Sequence, residues 1–443
     1  MVSNIIDSIL QGSSNYSIFL LIVNLVLCLY PIIGALYWFW GGISYLIFRS
    51  KEELTPSDLQ LPEHPFITIM VPAHNEEKMI ASTVKYLLDD LNYDNYEVLV
   101  VDDGSSDHTP AILKKLQTQY SQLRVLRIED NQGKAHAFNV GMFFARGEYI
   151  LSNDADTIPE KDALLKYMAY FLRPEGINYA AITANMDISN RTTLLGKSQT
   201  VEFSSIVGII KRSQTAVNNT MYAYSGANTM YRKRFLIDAG GFRQDRATED
   251  ISIAWDHTFM NVTPKFAPDI VFYMNVPETI PDLFKQRCRW AQGGTEVWLS
   301  ILPKIFKHPI KNRYVFPMIL DMTFSILWSF FLVITTAIFI LLMLFFLFTG
   351  NYERIFHGIV MSMIFVNFQV IAGMAQLLTA LICDLHGVKL KYLIFAPIYL
   401  LFTWIVNPLT IIFTFKNAIK TAMGYGKGTW KSPKRMSGGE ESE

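Results

Sequence analysis

The residues best suited to chemistry form short polar clusters that follow hydrophobic runs in the first third of the chain. Pro72–Glu77 follows one such run, and Asp102–Asp107 follows the next. Carboxylates accept hydrogen bonds from ribose hydroxyls and from a pyrimidine N–H, and an imidazole can stack on a base. Taken alone, the histidine of the first cluster could be an ordinary loop residue. The second cluster could be a turn that caps the next helix. The candidate nucleotide-binding side chains here are His74, Glu76, Asp102 and Asp103.

Two further clusters carry charges that suit a diphosphate. Asn131–Ala135 places Gly133 and Lys134 at a predicted helix start, which favours an anionic phosphate, although the second glycine of a P-loop is missing. Asp154 and Asp156 follow a predicted strand with i, i+2 spacing, so they can share one hard divalent ion such as Mg²⁺ or Mn²⁺. A surface lysine and a solvated acidic turn are the alternatives.

Two motifs later in the chain add an acid, a guanidinium and an indole. Thr248–Asp250 supplies carboxylates, and an acid beside an acceptor hydroxyl can act as a general base. Gln286–Trp290 contains Arg289, which can bind a diphosphate bidentately, and Trp290, whose face can stack on a sugar ring. An amphipathic helix on a membrane surface also explains the second motif and is compatible with the first interpretation.

The hydrophobic runs before these clusters predict the elements that position them. Strands are predicted at 66–71, 96–101, 123–128 and 148–152, and helices at 78–91, 109–120 and 134–145. This alternation is typical of a parallel, doubly wound α/β sheet. Such sheets bind ligands beyond the carboxyl ends of their strands, which is where the polar clusters lie.

Charge is distributed unevenly along the 443 residues. Residues 1–48 contain one charged side chain and residues 314–415 contain six, whereas the segment between them has the charge density of a soluble domain. A wholly soluble enzyme, a transporter that spans throughout and a disordered chain are therefore excluded. The zero net charge implies no bulk attraction to nucleic acid. The three cysteines are far apart and predict neither a disulfide framework nor a metal site.

The uncharged ends predict membrane helices. Ser17–Phe48 suits one tilted or Pro31-kinked span, and the basic residues that follow it place the N-terminus outside and the central domain in the cytosol. Residues 322–350 and 358–383 are strong spans, and 393–415 is a third candidate. Three spans would put the basic tail outside, against the charge rule, so a re-entrant or interfacial last segment is the alternative to a third span, and the sequence leaves both open. The predicted divisions are 1–50, 51–310, 311–424 and a polar tail, 425–443.

Taken together and in this order, the motifs resemble those of the processive family-2 glycosyltransferases, which include cellulose, chitin, hyaluronan and poly-N-acetylglucosamine synthases. The family's DxD, TED and QxxRW motifs correspond to 154–156, 248–250 and 286–290. Stretches that resemble the bacterial synthases of poly-β-1,6-N-acetylglucosamine are 30–38, 202–212, 248–255, 286–294 and 430–433. The resemblance covers nearly the whole chain.

The resemblance implies a GT-A (Rossmann-like) domain at 51–310 with interfacial helices, and a role for each motif. Asp102 and Asp103 would contact the uridine of UDP-N-acetylglucosamine, and Asp250 would be the catalytic base. Asp154 and Asp156 would hold the diphosphate through the metal. Glu249, Gln286 and Trp290 would bind the acceptor sugar. Arg289 would bind the diphosphate of the donor. The stretch 225–228 lies where relatives contact the acceptor, in a part of the sequence that varies among them.

The resemblance also implies an inverting polymerase in a bacterial cell membrane that passes its growing polysaccharide into the bilayer. Its few spans make a narrow conduit, so a small membrane accessory subunit is an expected partner; spans that only anchor the enzyme are the alternative. Three other functions stay open: a non-processive transferase acting on a lipid acceptor, a synthase of another β-linked polymer, and a non-catalytic receptor or scaffold with a degenerate domain.

Overall fold

The domain between the apolar ends of the chain is built on an eight-stranded sheet with the order β3-β2-β1-β4-β7-β6-β8-β5. The structure is a computed structural model that describes residues 15–218 and 220–424, so the polar tail at 425–443 lies outside the described residues. The strands are β1 (Ile67–Ala73), β2 (Tyr96–Asp103), β3 (Leu123–Ile128), β4 (Tyr149–Asn153), β5 (Ile158–Pro159), β6 (Tyr179–Ile188), β7 (Asn228–Arg232) and β8 (Thr263–Met274).

The first half of the sheet confirms the predicted strands and their direction. β1 pairs in parallel with both β2 and β4, and β2 pairs in parallel with β3. Every residue of β1 and β2 is buried, as expected where both faces of a parallel sheet are covered. The crossover helices are α2 (Ile80–Asp89), α3 (Thr109–Gln117) and α4 (Lys134–Phe144).

The second half of the sheet is mixed, which the strand–helix alternation did not predict. β7 lies antiparallel between β4 and β6, and β6 pairs in parallel with β8. Because β7 runs against β4, the loop before β7 reaches the same sheet edge as the carboxyl end of β4. The loop at 225–228 is thereby brought to the predicted site.

The remaining helices of this domain lie between and after the later strands in the chain. After α5 (Ala163–Leu172), a helical segment runs through α6 (Leu194–Phe203), a π-helical part (Ser204–Ile209), α7 (Ile210–Ser213) and a second π-helical part (Gln214–Asn218). Helices α8 (Lys233–Asp238), α9 (Glu249–Phe259) and α10 (Ile280–Lys307) follow. π-Helical turns are rare and often occur at functional sites.

Four helices in the described residues are long and apolar enough to cross a membrane: α1 (Asn15–Phe48), α11 (Phe316–Phe348), α12 (Tyr352–Cys383) and α13 (Ala396–Ala422). Pro31 lies inside α1, in agreement with the single N-terminal helix predicted. The last helix packs along α10, and a 3₁₀ segment (Asp384–Phe395) connects it to α12. The alternative that 393–415 is re-entrant or interfacial stays a prediction, as do the domain boundaries.

Candidate active site

The loops after β1 and β2 are hydrogen-bonded to each other. The Asn75 N–H donates to Ser105 Oγ at 2.9 Å, and the Glu76 N–H donates to Thr109 Oγ1 at 2.9 Å. Asn75 takes the left-handed conformation that asparagine tolerates well, with φ of 56°. Two of the predicted nucleotide-binding loops therefore form one rigid edge, with half-buried His74 at its rim and the Glu76 side chain buried beneath it.

Asp102 and Asp103 support neighbouring loops. Asp103 accepts from the N–H groups of Gln132 and Gly133, at 3.1 and 2.8 Å, which fixes the turn before α4. His74 Nδ1 lies 2.7 Å from the Asp103 carbonyl oxygen. Asp102 Oδ1 accepts from the Ser105 N–H at 3.0 Å. The contacts of these acids with a uridine stay predictions, and each acid also has a structural role that the motif alone did not reveal.

Lys134, at the first turn of α4, joins the predicted phosphate site to the TED motif. Its Nζ lies 2.7 Å from Asp154 Oδ1 and 3.0 Å from Glu249 Oε1, and it donates to the Gly226 carbonyl at 3.2 Å. Burial disfavours the ammonium charge, but the carboxylates of Asp154 and Glu249 outweigh it and raise the pKa of Lys134 above its ordinary value. A permanently charged lysine at a helix N-terminus suits a diphosphate.

Asp250 lies in the first turn of α9, beside this cluster. Its Oδ2 accepts from the Gly226 N–H at 3.1 Å, and its Oδ1 accepts from the Ile251 N–H at 2.9 Å. Burial, then the nearby charge of Glu249, raises the pKa of Asp250 to about 6, against the opposing effect of Lys134 and Lys211. A carboxylate with a pKa near neutrality can both hold and release a proton, as a general base must.

The loop at 225–228 is the centre of the site, although its residue types alone indicated this only weakly. The Gly226 carbonyl accepts from Lys134 and from the Ser152 hydroxyl, while its N–H binds Asp250. A Cβ at Gly226 would lie 2.9 Å from Lys134 Nζ and 3.0 Å from Glu249 Oε1. The glycine is therefore required by the close approach of functional side chains.

Helix α10 carries the QxxRW motif along the side of the site. Arg287 pairs with Glu202 of α6 at 2.7 Å, and its guanidinium lies 4.1 Å from the centre of the Trp290 ring. Arg287 also donates to Gln286 Oε1 at 2.7 Å. Arg289, the predicted diphosphate ligand, is exposed and forms no ion pair within the described part of the chain. Sequence reasoning missed the role of Arg287, whose only signal was its place inside the QxxRW stretch.

Glycine also lets α10 approach the TED motif. A Cβ at Gly293 would overlap the Thr248 side chain, so the two elements touch through this position. Ala247 donates its N–H to the buried Glu296 of α10 at 2.8 Å. The helix that presents Trp290 therefore also holds the loop that presents Asp250.

Comparison with known proteins agrees with this geometry. The model of the family described as Glycosyl transferase family 2 matches residues 68–240, which run from the second residue of β1 to beyond the end of β7. A poly-β-1,6-N-acetyl-D-glucosamine synthase of Staphylococcus epidermidis is 33% identical over 422 residues, covering 92% of this chain and 97% of the relative. A synthase of the same name from Staphylococcus aureus strain COL is 32% identical over 428 residues, with the same two coverages.

The chain belongs to glycosyl transferase family 2. It is a glycosyltransferase with a GT-A, Rossmann-like domain, as predicted. A solved structure of the mannosyltransferase PcManGT from Pyrobaculum calidifontis, in complex with GDP-Man and Mn²⁺, matches with a TM-score of 0.54. It is 18% identical and covers 80% of this chain and 98% of its own, so it supports the fold alone.

Proposed function

We propose that this glycosyltransferase polymerises N-acetylglucosamine from UDP-N-acetylglucosamine into a β-1,6-linked polysaccharide by inverting transfer. Identity to the two staphylococcal synthases along nearly the whole chain supports the polymer and the donor. The observation that carries the mechanism is Asp250, a carboxylate with a pKa raised to about 6, beside the cationic Lys134 cluster.

The reaction is a single displacement. Asp250 takes the proton of the acceptor 6-hydroxyl as that oxygen attacks C1 of the donor sugar. The C1–O bond to the diphosphate breaks, and UDP leaves with the electron pair and the growing negative charge. The Gly226 N–H orients the base carboxylate through its 3.1 Å hydrogen bond. Attack from the side opposite the leaving group turns an α-linked donor into a β-linked product.

Lys134 supplies a positive charge where the leaving diphosphate gains negative charge. Its ammonium lies between Asp154 and Glu249, so a diphosphate arriving at the start of α4 meets a lysine already oriented by two carboxylates. A preorganised cation lowers the barrier because it needs no reorganisation during the reaction.

The acidic pair after β4 fits a divalent metal of the Mg²⁺ or Mn²⁺ type. The Asp154 side chain is 32% exposed, and Asp156 is also partly exposed, so both can offer oxygen ligands to an ion from solvent. Hard cations of this kind bind one or two protein carboxylates together with substrate phosphates. When bound, the ion would neutralise part of the diphosphate charge. The Asp154 carboxylate would then be shared between the ion and Lys134.

The acceptor is proposed to lie between Trp290 and the TED motif. Trp290 is half-buried, and its ring is fixed by Arg287 and by an edge contact with Phe203, whose ring centre lies 6.4 Å away. A fixed indole face suits a pyranose ring. Glu249 of the TED motif and Gln286, four residues before Trp290 on α10, are the proposed hydroxyl ligands.

We propose that the four apolar helices embed the enzyme in the bacterial cell membrane, with the catalytic domain in the cytosol; their length and composition support this. The donor is charged and stays in the cytosol, whereas the polymer must cross the bilayer. Coupled export of the growing chain follows from this arrangement. A small accessory membrane subunit is a proposed partner, because so few helices leave a conduit incompletely lined.

Replacing the base is the direct experiment. We expect Asp250→Asn to abolish polymer synthesis in purified membranes and to leave UDP binding within about twofold, since the amide keeps the shape but cannot take a proton. The matched control is Asp256→Asn on the same helix, which removes a bidentate pair with Arg243 and leaves the site intact. Near-normal synthesis by the Asp250 variant would show that the base is another group.

The alternatives differ in product and in donor dependence. A polymer cleaved by a β-1,6-specific hydrolase supports the proposal, and a glycolipid carrying a single sugar would instead show non-processive transfer. Cleavage only by hydrolases for hyaluronan, chitin or cellulose linkages would reassign the polymer. Absence of UDP release with any donor would favour a scaffold.

A further inference from the structure

Lys211 is a buried lysine whose role neither the motifs nor the relatives' names assign. It lies in α7, the short α-helical part between two π-helical parts, and it is 6% exposed. Its Nζ donates to the Ser225 hydroxyl at 2.6 Å. Within residues 15–218 and 220–424 its ammonium forms no ion pair, so burial is compensated mainly by one neutral oxygen. An uncompensated buried cation is costly and is retained where it serves a function.

Ser225 connects this lysine to the catalytic loop. Its N–H binds Thr183 Oγ1 at 3.1 Å, and its carbonyl accepts from the Thr229 hydroxyl at 2.8 Å. The next residue is Gly226, whose N–H donates to Asp250 and whose carbonyl accepts from Lys134. A shift of the Ser225 side chain therefore moves the peptide that orients the base.

The neighbours of Lys211 in α7 fasten it to the rest of the molecule. Arg212 stacks between the rings of Tyr45 and Phe266, at 5.7 and 5.4 Å. The Ser213 hydroxyl lies 3.2 Å from the Trp38 carbonyl of α1. The lysine is thus held from behind by the apolar N-terminal helix and by the sheet, and its ammonium points toward the site.

We propose that Lys211 is a positioning residue for the transfer reaction: it holds Ser225 so that the Gly226 N–H stays directed at the Asp250 carboxylate. The inference rests on the proposed role of Asp250 as the base. Lys211 also contributes a positive charge that favours the ionised form of Asp250. Charged or titratable groups that face Asp250 from the surrounding elements are Glu249 of α9, Lys134 of α4, Lys211 of α7 and Tyr231 of β7.

The pH dependence of the reaction carries the test, since a merely structural lysine would not alter it. Burial lowers the pKa of Lys211 to about 7, so the lysine is charged over the acidic range in which Asp250 titrates. Lys211→Met removes that charge and raises the pKa of the base. We expect kcat at pH 7 to fall roughly tenfold or more, and the acidic limb of the kcat/KM profile to move upward by about half a pH unit or more.

Two further variants complete the design. Ser225→Ala removes the oxygen that holds the ammonium. The effects of Ser225→Ala and Lys211→Met should therefore be non-additive in the double variant. If Lys211→Met fails to fold, Ser225→Ala alone carries the test. Lys265→Met is the matched control, because Lys265 is also buried but pairs with Glu52 at 2.7 Å. It should leave the pH profile unchanged.

The outcomes separate this inference from the proposed function. An unmoved acidic limb in Lys211→Met, or additive effects with Ser225→Ala, would overturn the positioning role. The same limb shift in Lys265→Met would also overturn it. If Asp250→Asn is inactive while Lys211→Met behaves like the wild type, only the present inference fails. If Asp250→Asn is active, the base assignment fails first.

Discussion

At the scale of single residues, the site is defined by buried charged groups whose pKa values are shifted by their neighbours. Lys134 is held charged by Asp154 and Glu249, while Asp250 is pushed toward its protonated form by burial and by Glu249. Both pKa values are raised, so the lysine stays charged at neutral pH while the carboxyl group can gain or lose a proton, and strongly shifted titratable groups of this kind are typical of functional sites. One loop glycine, Gly226, contacts both groups.

The pH dependence of the enzyme should reflect Asp250. Its pKa is raised to about 6 from an ordinary 3.8, and only the ionised carboxylate can accept a proton. We expect kcat/KM to be high above that value and to fall about tenfold for each unit of pH below it. Initial rates of UDP release between pH 5 and 8 measure this. A limb near pH 4 would mean that the base is more exposed than the structure shows.

Gly226→Ala should damage catalysis more than stability. The new Cβ would meet Lys134 Nζ and Glu249 Oε1, the ends of flexible side chains that can move aside at little cost to folding. Their displacement separates the cation from the donor site, so we expect a loss of at least tenfold in kcat/KM for the donor. Gly34→Ala is the control, since a Cβ there meets nothing within 4 Å. Equal thermal stability with normal activity in the Gly226 variant would contradict this account.

How far the sequence predicted the site depends on where each residue's partner lies. Lys134 and Asp154 were found because polar residues after hydrophobic runs mark strand ends. Lys211 and Ser225 were missed as partners since their contact crosses from a helix to a loop, and no periodicity reports it. Arg289 was favoured over Arg287 by its motif, whereas burial and pairing, which need the fold, distinguish Arg287.

At the scale of elements, the contact between α6 and α10 decides how Trp290 is presented. Glu202 and Arg287 are both buried, and they form the ion pair that holds the guanidinium against the indole ring. Breaking one side of such a pair leaves a buried charge without a partner, at a cost of about 3–5 kcal/mol. Removing both charges costs less.

A double-mutant cycle tests this contact. We expect Arg287→Met and Glu202→Gln each to lower the unfolding temperature of the purified protein, and the double variant to be more stable than Arg287→Met alone. The Arg287→Met variant and the double variant should both raise KM for the acceptor oligosaccharide, because Trp290 loses its stacking partner in each. Additive destabilisation, with unchanged acceptor KM, would mean that the pair does not position the indole.

The pattern of hydrophobic runs predicted the parallel strands of the sheet but not its antiparallel strand. The predicted strand at 123–128 coincides with β3, and the first four strands are parallel as expected. The antiparallel insertion of β7 was not predicted, because its pairing with β4 and β6 is non-local. That insertion is what brings the loop at 225–228 to the strand ends.

At the scale of the whole molecule, a buried polar network joins the C-terminal helices to the sheet. Lys389 Nζ lies 2.8 Å from Asp187 Oδ1 of β6 and 2.8 Å from Asp384 Oδ2. Asp384 also accepts from Asn185 and Ser204, both at 2.6 Å. The 3₁₀ segment between α12 and α13 is therefore docked on the catalytic domain.

This docking predicts the topology of the last helices. If 384–395 lies on the catalytic side, α11 and α12 form a hairpin whose turn at 349–351 faces the opposite side. In a chain with its three native cysteines replaced, Glu353→Cys should react with a membrane-impermeant thiol reagent in intact cells. Lys391→Cys should react only after permeabilisation, like Asp94→Cys, an exposed control on the catalytic domain. Labelling of Lys391→Cys in intact cells would contradict the hairpin. It would put residue 391 on the side opposite the catalytic domain, whereas Lys389, two residues earlier, is paired with Asp187 of that domain.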